Sequence, residues 1–362
     1  MVFVALSVAA VPAWGVIDRG NSAGFLVPVA MVFFVALTRQ RWGLVAVMVI
    51  LAALLKPQFA VLVLVLFAAR QWRWGGAAIA GIVVSNISAF LLWPRGFPGT
   101  ITQSINYIIK FNNSWGLQDP GNVSFAKALL LIPDSIKGAQ AGRVPNDFLA
   151  GPRTLIGFVI LVIVAVAVLV LGRRIPPIIV GILVLATATL APSYAAYYYL
   201  VFVLPVAALV VRDPNGPPDA GIFDRMAARG DPRRAIGICV SLAAALSIAR
   251  IALPGPPFSV SIYGQMGAKG VIDHAQLVLT TVMWAPVLWL IACATIIVSY
   301  ARKPAAESDP DNVSRREIDG DTADAPVSKP APVSGPTPAS ATPTQTTSRG
   351  SGTLGSDPPS SG

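Results

Sequence analysis

The chain has 362 residues, 54% of them hydrophobic and only 12% charged, with a mean hydropathy of +0.67. A soluble domain carries about 25% charged residues, so most of this chain is not built to face water. The net charge of +10 does not point to nucleic acid, because the arginines stand at the ends of apolar blocks long enough to cross a bilayer core of about 30 Å. One histidine and two cysteines make no obvious zinc site, and no cofactor is expected. Cys239 and Cys293 fall inside apolar blocks and read as buried packing thiols.

In chain order, ten candidate spans fall near residues 2–17, 22–38, 42–55, 58–69, 74–93, 154–172, 176–191, 197–211, 235–254 and 275–299. The expected fold class is therefore all-α and integral to a membrane, a polytopic helical bundle. Met1 is followed at once by "VFVALSVAAVPAWGVI", with no charged segment before the apolar run and no convincing cleavage site, so no signal peptide is expected. The chain reads as starting in the middle of an architecture.

Lys and Arg are retained on the cytoplasmic side of short connections. Alternate connections hold Arg39 and Arg41; Arg70 and Arg73; Arg173 and Arg174; Arg212, Arg225, Arg229, Arg233 and Arg234; and Arg302 with Lys303. The opposite short connections hold only Arg19, Lys56 and Lys269. This parity predicts a multi-pass protein of the plasma membrane with a cytoplasmic C-terminus. It makes residues 1–302 the transmembrane domain, with 94–153 a long extracytoplasmic loop. Residues 303–362, rich in Pro, Ser, Thr, Gly and Asp, are expected to be a disordered cytoplasmic tail, because they bury too little apolar surface to fold.

The polar residues that are costly at membrane depth gather on the outer side, which suits an outward-opening enzyme or receptor better than a pore. They are "DRGN" (Asp18, Arg19, Gly20, Asn21), "KPQ" (Lys56, Pro57, Gln58), "APSYAAYYY" with Tyr194, Tyr197 and Tyr198, and the 255–274 loop ending in Asp273 and His274. Pro57 breaks the helix after Lys56. The lysine then presents a compact cation either to a phosphate or diphosphate at headgroup level, or simply to the interface as a snorkelling anchor. In the long loop, "TITQSINYIIKFN" and "VSFAKALLLI" read as short interfacial helices, with Tyr107, Trp115 and Phe125 as aromatic anchors or sugar-stacking rings. Asp18, beside Arg19 and Asn21, is the best-placed general base. Asp119 and Asp134 adjoin prolines and shape turns, Asp147 is a further outer acid, and Glu307 and Glu317 lie in the tail. His274 reads as a base, a phosphate ligand or, with Asp273, a cap for the last span.

Three stretches, "DRGNSAGFLVPVAMVFFVAL", "LLKPQFAVLVLVLFAARQWRW" and "APSYAAYYYLVFVLPVAAL", together resemble glycosyltransferase family 87. These are bacterial polytopic GT-C-type enzymes that include polyprenol-phosphate-mannose-dependent mannosyltransferases of actinobacteria. The resemblance covers about residues 15–212, is weaker to 299 and leaves out the tail. It implies a polyprenyl-phosphate-linked donor of mannose, or of a pentose such as arabinose, reached from the outer leaflet. The acceptor it implies is an envelope glycan or glycolipid. Lys56 and Gln58 become donor-phosphate or cavity residues, with Arg19 and Asn21 at the mouth and Tyr194 and Tyr198 lining it. The family's catalytic Asp stands in the first outer loop after the first span. This chain departs there, so the resemblance places the base upstream of Met1. Two other readings compete. A lipid or glycan transporter would show paired repeats with breaks near the midplane, whereas this sequence shows one break, at the outer surface, and no internal repeat. A non-catalytic family member is the other.

Overall fold

The structure is a computed structural model that describes residues 2–92, 96, 99–113, 122–130, 153–211, 216–217, 221–223, 234–248, 252–253, 257–263, 269–276, 279–280 and 284–302. The tail lies outside the described residues, as do Trp115, Asp119, Asp134 and Asp147.

The bundle is helical. The first expected span is two half-helices, α1 (Val2–Ala9) and α2 (Val11–Asp18), because Ala10 is extended and Pro12 starts the second. The chain then enters 3₁₀ helix η1 (Ser22–Phe25), which runs into α3 (Leu26–Thr38). Asn21 caps η1 by accepting from the Ala23 N–H at 3.0 Å. After α4 (Trp42–Leu55), Lys56 is extended and Pro57 opens a second 3₁₀ helix, η2 (Pro57–Val63), continued by α5 (Leu64–Ala68). Next come α6 (Trp72–Leu92), α7 (Gly99–Asn113) and the short α8 (Phe125–Leu129), capped by Ser124. α9 (Arg153–Leu171) and α10 (Pro177–Leu190) follow, and then a third 3₁₀ helix, η3 (Tyr197–Phe202), leading into α11 (Val203–Val211). α12 (Arg234–Ile248) and α13 (Ala285–Ala301) complete the bundle.

Four short strands lie in the connection between α12 and α13: β1 (Ala252–Leu253), β2 (Pro257–Tyr263), β3 (Lys269–Gln276) and β4 (Leu279–Thr280). β2 pairs antiparallel with β3, Val260 opposite Ile272, and β1 pairs with β4. The spans expected at 235–254 and 275–299 are shortened accordingly, and the segment expected as a plain loop is a two-stranded ribbon.

α10 is the axis of the bundle. Every residue from Ile178 to Leu190 is buried, as a helix apolar on all sides must be, and its neighbours include α3, α5, α9 and α13. Its two threonines spend their hydroxyls on their own helix, Thr187 on Leu183 O and Thr189 on Leu185 O, both at 2.8 Å. Phe33, Phe34, Phe59, Phe202 and Trp289 fill the core around it. Phe125, expected as an interfacial anchor, is also fully buried. Tyr107 on α7 is exposed, as an anchor would be.

The outer helices turn apolar surface outward. α6 exposes Trp72, Ile79, Val83, Val84, Ile87 and Leu91, and α9 exposes Leu155, Phe158, Val162, Val166 and Val170. Among the described residues, α6 is long and apolar enough to cross a bilayer, and eight further apolar segments have 10–17 residues.

Three interhelical turns share one geometry. Gly20, Gln40 and Arg70 have φ of 54°, 53° and 57°. The next residue's N–H reaches back five positions: Asn21 to Val16 O at 3.0 Å, Arg41 to Ala36 O at 2.9 Å and Gln71 to Leu66 O at 2.8 Å. These are Schellman closures. A side chain at Gly43 would touch Trp74, and one at Gly172 would touch Ala68. The turns at Arg39–Arg41, Arg70–Arg73 and Arg173–Arg174 therefore gather at one end of the bundle, the arginine end.

Candidate functional site

The opposite end brings together residues far apart in sequence. Asn21 Nδ2 donates to Tyr198 Oη at 3.2 Å, and Lys56 Nζ donates to Tyr199 Oη at 2.6 Å. Tyr198 and Tyr199 meet edge to face with ring centroids 4.9 Å apart, and their hydroxyls are hydrogen-bond partners. The result is a continuous polar relay, Asn21–Tyr198–Tyr199–Lys56. Each member stands at the start of a 3₁₀ helix: Asn21 before η1, Lys56 before η2, the tyrosines in the first turn of η3. The Lys56 ammonium is also 4.7 Å from the Tyr199 ring centroid. Since it is much closer to the hydroxyl, the contact is the hydrogen bond and not the ring face.

Lys56 is half-buried, and its hydrogen-bond partner is a neutral phenol. Among the described residues no carboxylate reaches it within ion-pairing distance. Close by in η2, the Gln58 Nε2 is buried and has no hydrogen-bond partner among the described residues. Tyr199 already carries the Lys56 donor on its oxygen, and its own proton remains to give. The relay end is therefore rich in donors and poor in acceptors, an environment that favours an anionic, oxygen-rich ligand.

Lys56 stands at the end of α4, a helix shorter than its neighbour α6. α4 and α6 run side by side from the arginine end, with Gly43 against Trp74 and Gly81 against Ile50. Leu55 therefore comes level with about Asn86, and Ile87–Leu92 carry α6 roughly 9 Å beyond Leu55, at 1.5 Å per residue.

Packing holds this geometry in place. A Cβ at Gly15 would fall 2.8 Å from the Tyr197 ring, so the glycine lets η3 lie against α2. A Cβ at Gly157 would run into the Ala191 carbonyl, so α9 and the end of α10 approach backbone to backbone. On the far side of η3, Phe202 packs on Trp289 at 5.1 Å, and Trp289 Nε1 donates to Ser247 Oγ at 3.0 Å.

Of the residues singled out from sequence, Asn21, Lys56 and Tyr198 converge. Arg19 and Asp18 stay at the rim, 64% and 81% exposed and 3.9 Å from each other. Asp18, expected as the best-placed base, has its ion-pair contact with Arg19 and not with the relay. Tyr194 is half-buried, and Tyr199, which sequence reasoning missed, joins Tyr198 in the relay. His274 lies in β3, and its side chain is outside the described residues. Asn122 was also missed. It is 2% exposed and donates from Nδ2 to Ser193 O at 3.0 Å, while its Oδ1 accepts from Ser124 N at 3.0 Å and Ala195 N at 3.1 Å. A concavity of about 650 Å³ also opens on α7, lined by Gly99, Thr102, Gln103, Asn106 and Tyr107; it shares no residue with the relay.

Fold and site together define a helical bundle with one donor-rich end. No protein-family model, curated protein or solved structure matches the chain.

Proposed function

We propose that the protein is a multi-pass membrane protein whose relay end faces away from the cytoplasm and binds the phosphate of a polyprenyl-phosphate-linked sugar. The reaction proposed is transfer of that sugar, mannose or a pentose such as arabinose, to an envelope glycan or glycolipid. The observation that carries the reading is the half-buried Lys56 joined to Tyr199, with Gln58 two residues on, whose buried Nε2 has no hydrogen-bond partner among the described residues. A lipid-linked phosphate would complete these donors and draw its apolar chain along the outward surfaces of α6 and α9. Membrane insertion is supported by those exposed apolar surfaces, by the length of α6 and by the segregation of arginines to the other end. The sugar-transfer step rests on the resemblance to glycosyltransferase family 87.

A second reading has an observation in its favour. Asp18 is the one carboxylate whose side chain is described, and it sits at the rim away from the relay. Transfer needs a base for the acceptor hydroxyl, so a phosphate-binding protein that makes no glycosidic bond fits the same donors.

Equilibrium binding of decaprenyl monophosphate to the purified chain in nanodiscs tests the shared core of both readings. Lys56→Gln removes a charge-assisted bond worth about 1.5–3 kcal/mol and should weaken binding roughly ten- to more than a hundred-fold. Lys56→Arg should restore it only in part, because a planar fork does not replace a point charge. Unchanged affinity in Lys56→Gln would sink the phosphate site. Radiolabelled polyprenyl-phosphate mannose with an envelope glycolipid then separates the two readings, since only the enzyme yields labelled acceptor.

A further inference from the structure

The relay depends on a residue that does not belong to it. Tyr198 and Tyr199 stand just after the short segment Pro192–Ala196, which makes no helix of its own. That segment is held from the side by Asn122. One amide makes three bonds to it and its surroundings: Nδ2 to Ser193 O, and Oδ1 from Ala195 N and from Ser124 N. The backbone adds Val123 N to Ala195 O at 2.7 Å, closing an isolated antiparallel bridge between Asn122 and Ala196. Turning the amide over would set a carbonyl against a carbonyl and a donor against two donors, so its orientation is fixed by its partners. Asn122 is almost fully buried, so water does not replace these bonds at low cost.

We infer that Asn122 is a positioning residue for the relay: it fixes the run-in to η3, and through it the direction in which Tyr198 and Tyr199 present their hydroxyls to Asn21 and Lys56. Ala196 is the residue from which η3 starts. A tyrosine hydroxyl stands a full ring beyond its Cβ, so a small rotation at Ala196 becomes a larger displacement at the oxygen. A displacement of about 1 Å is enough to lower the performance of a positioned site a hundred-fold. Asn122 opens the described stretch 122–130, so that stretch is tied to the run-in to η3. The link to ligand binding rests on the phosphate reading above; the link to tyrosine geometry does not.

The test labels all seven tyrosines with ¹³C at Cζ in the full chain in nanodiscs, and assigns two signals by Tyr198→Phe and Tyr199→Phe. In Asn122→Ala those two signals should move while that of Tyr107, on α7, stays. Asn122→Asp guards against a variant that fails to fold. Its protonated acid reproduces all three bonds, whereas its carboxylate faces the Ser193 carbonyl and loses one. The two signals should sit at the wild-type positions near pH 4 and depart from them on raising the pH to about 8. Wild type should show no such change. Affinity for decaprenyl monophosphate should fall about ten-fold or more in Asn122→Ala, and in Asn122→Asp only at the higher pH. Signals unmoved in Asn122→Ala, or independent of pH in Asn122→Asp, overturn the inference even if the phosphate binds. If wild type binds no phosphate while the signals move as expected, the phosphate reading fails and the positioning role stands.

Discussion

The two ends of the bundle share one backbone closure, at Gly20 as at Gln40 and Arg70, and differ in the side-chain bonds built around it. At the arginine end, the turns at Gln40 and Arg70 are local: backbone bonds reach back five residues, and both residues are exposed. Among the described residues, no side-chain hydrogen bond joins one of these turns to the other. At the relay end the bonds are non-local, spanning 177 positions from Asn21 to Tyr198 and 143 from Lys56 to Tyr199. On the proposed membrane reading, local turns are sufficient where a connection has only to stay on its side. Converging, partly buried polar groups carry a desolvation cost, which the ligand proposed above would offset.

Substitutions at each end break or sharpen this contrast. The largest effect is expected at Gly157, where any Cβ meets the Ala191 carbonyl. Gly157→Ala should lower stability by about 3 kcal/mol, the upper end for overpacking, seen as a fall in the thermal midpoint in detergent. A midpoint equal to wild type would mean that α9 and α10 do not approach this closely. Next come the relay bonds. Asn21→Ala and Tyr199→Phe should each lose about 1 kcal/mol, and both should also weaken phosphate binding. In a double-mutant cycle they should show coupling, because Tyr198 connects them; strict additivity would break the relay into unrelated pairs. The smallest effect is at the arginine end. Gln40→Gly and Arg70→Gly each remove a side chain from a left-handed position that costs an L-residue roughly 1 kcal/mol. Each should raise the midpoint slightly and leave phosphate binding untouched. A loss of binding there would erase the distinction between the ends.

Much of the helical layout was legible in the sequence, because apolar blocks bounded by arginines, prolines and tight turns leave few choices. The expected 22–38, 42–55 and 197–211 coincide with η1–α3, α4 and η3–α11. The break after Lys56 was legible from Pro57. The 3₁₀ character of η1, η2 and η3 was not, because apolar runs give no period that separates it from an α-helix. Which tyrosines of the "YYY" triplet, Tyr197–Tyr199, join the relay depends on how η3 is rotated, and that rotation is set by packing such as that of Gly15 against Tyr197 and of Trp289 against Phe202. Asn122 itself lay in "DPGN", which composition marks only as a turn. The ribbon between α12 and α13 did carry a signal: "FSVSIY" alternates polar and apolar residues for part of its length, a strand pattern.

The central claim is that the two ends face opposite sides of a membrane, with the relay end outward. Single cysteines in a Cys239→Ala, Cys293→Ala background test it directly, at Ser22→Cys on the relay side and Arg39→Cys on the arginine side, both exposed positions. In intact cells, a membrane-impermeant maleimide should label Ser22→Cys and should reach Arg39→Cys only after the membrane is permeabilised. Labelling of Arg39→Cys in intact cells, with Ser22→Cys protected, would contradict the account.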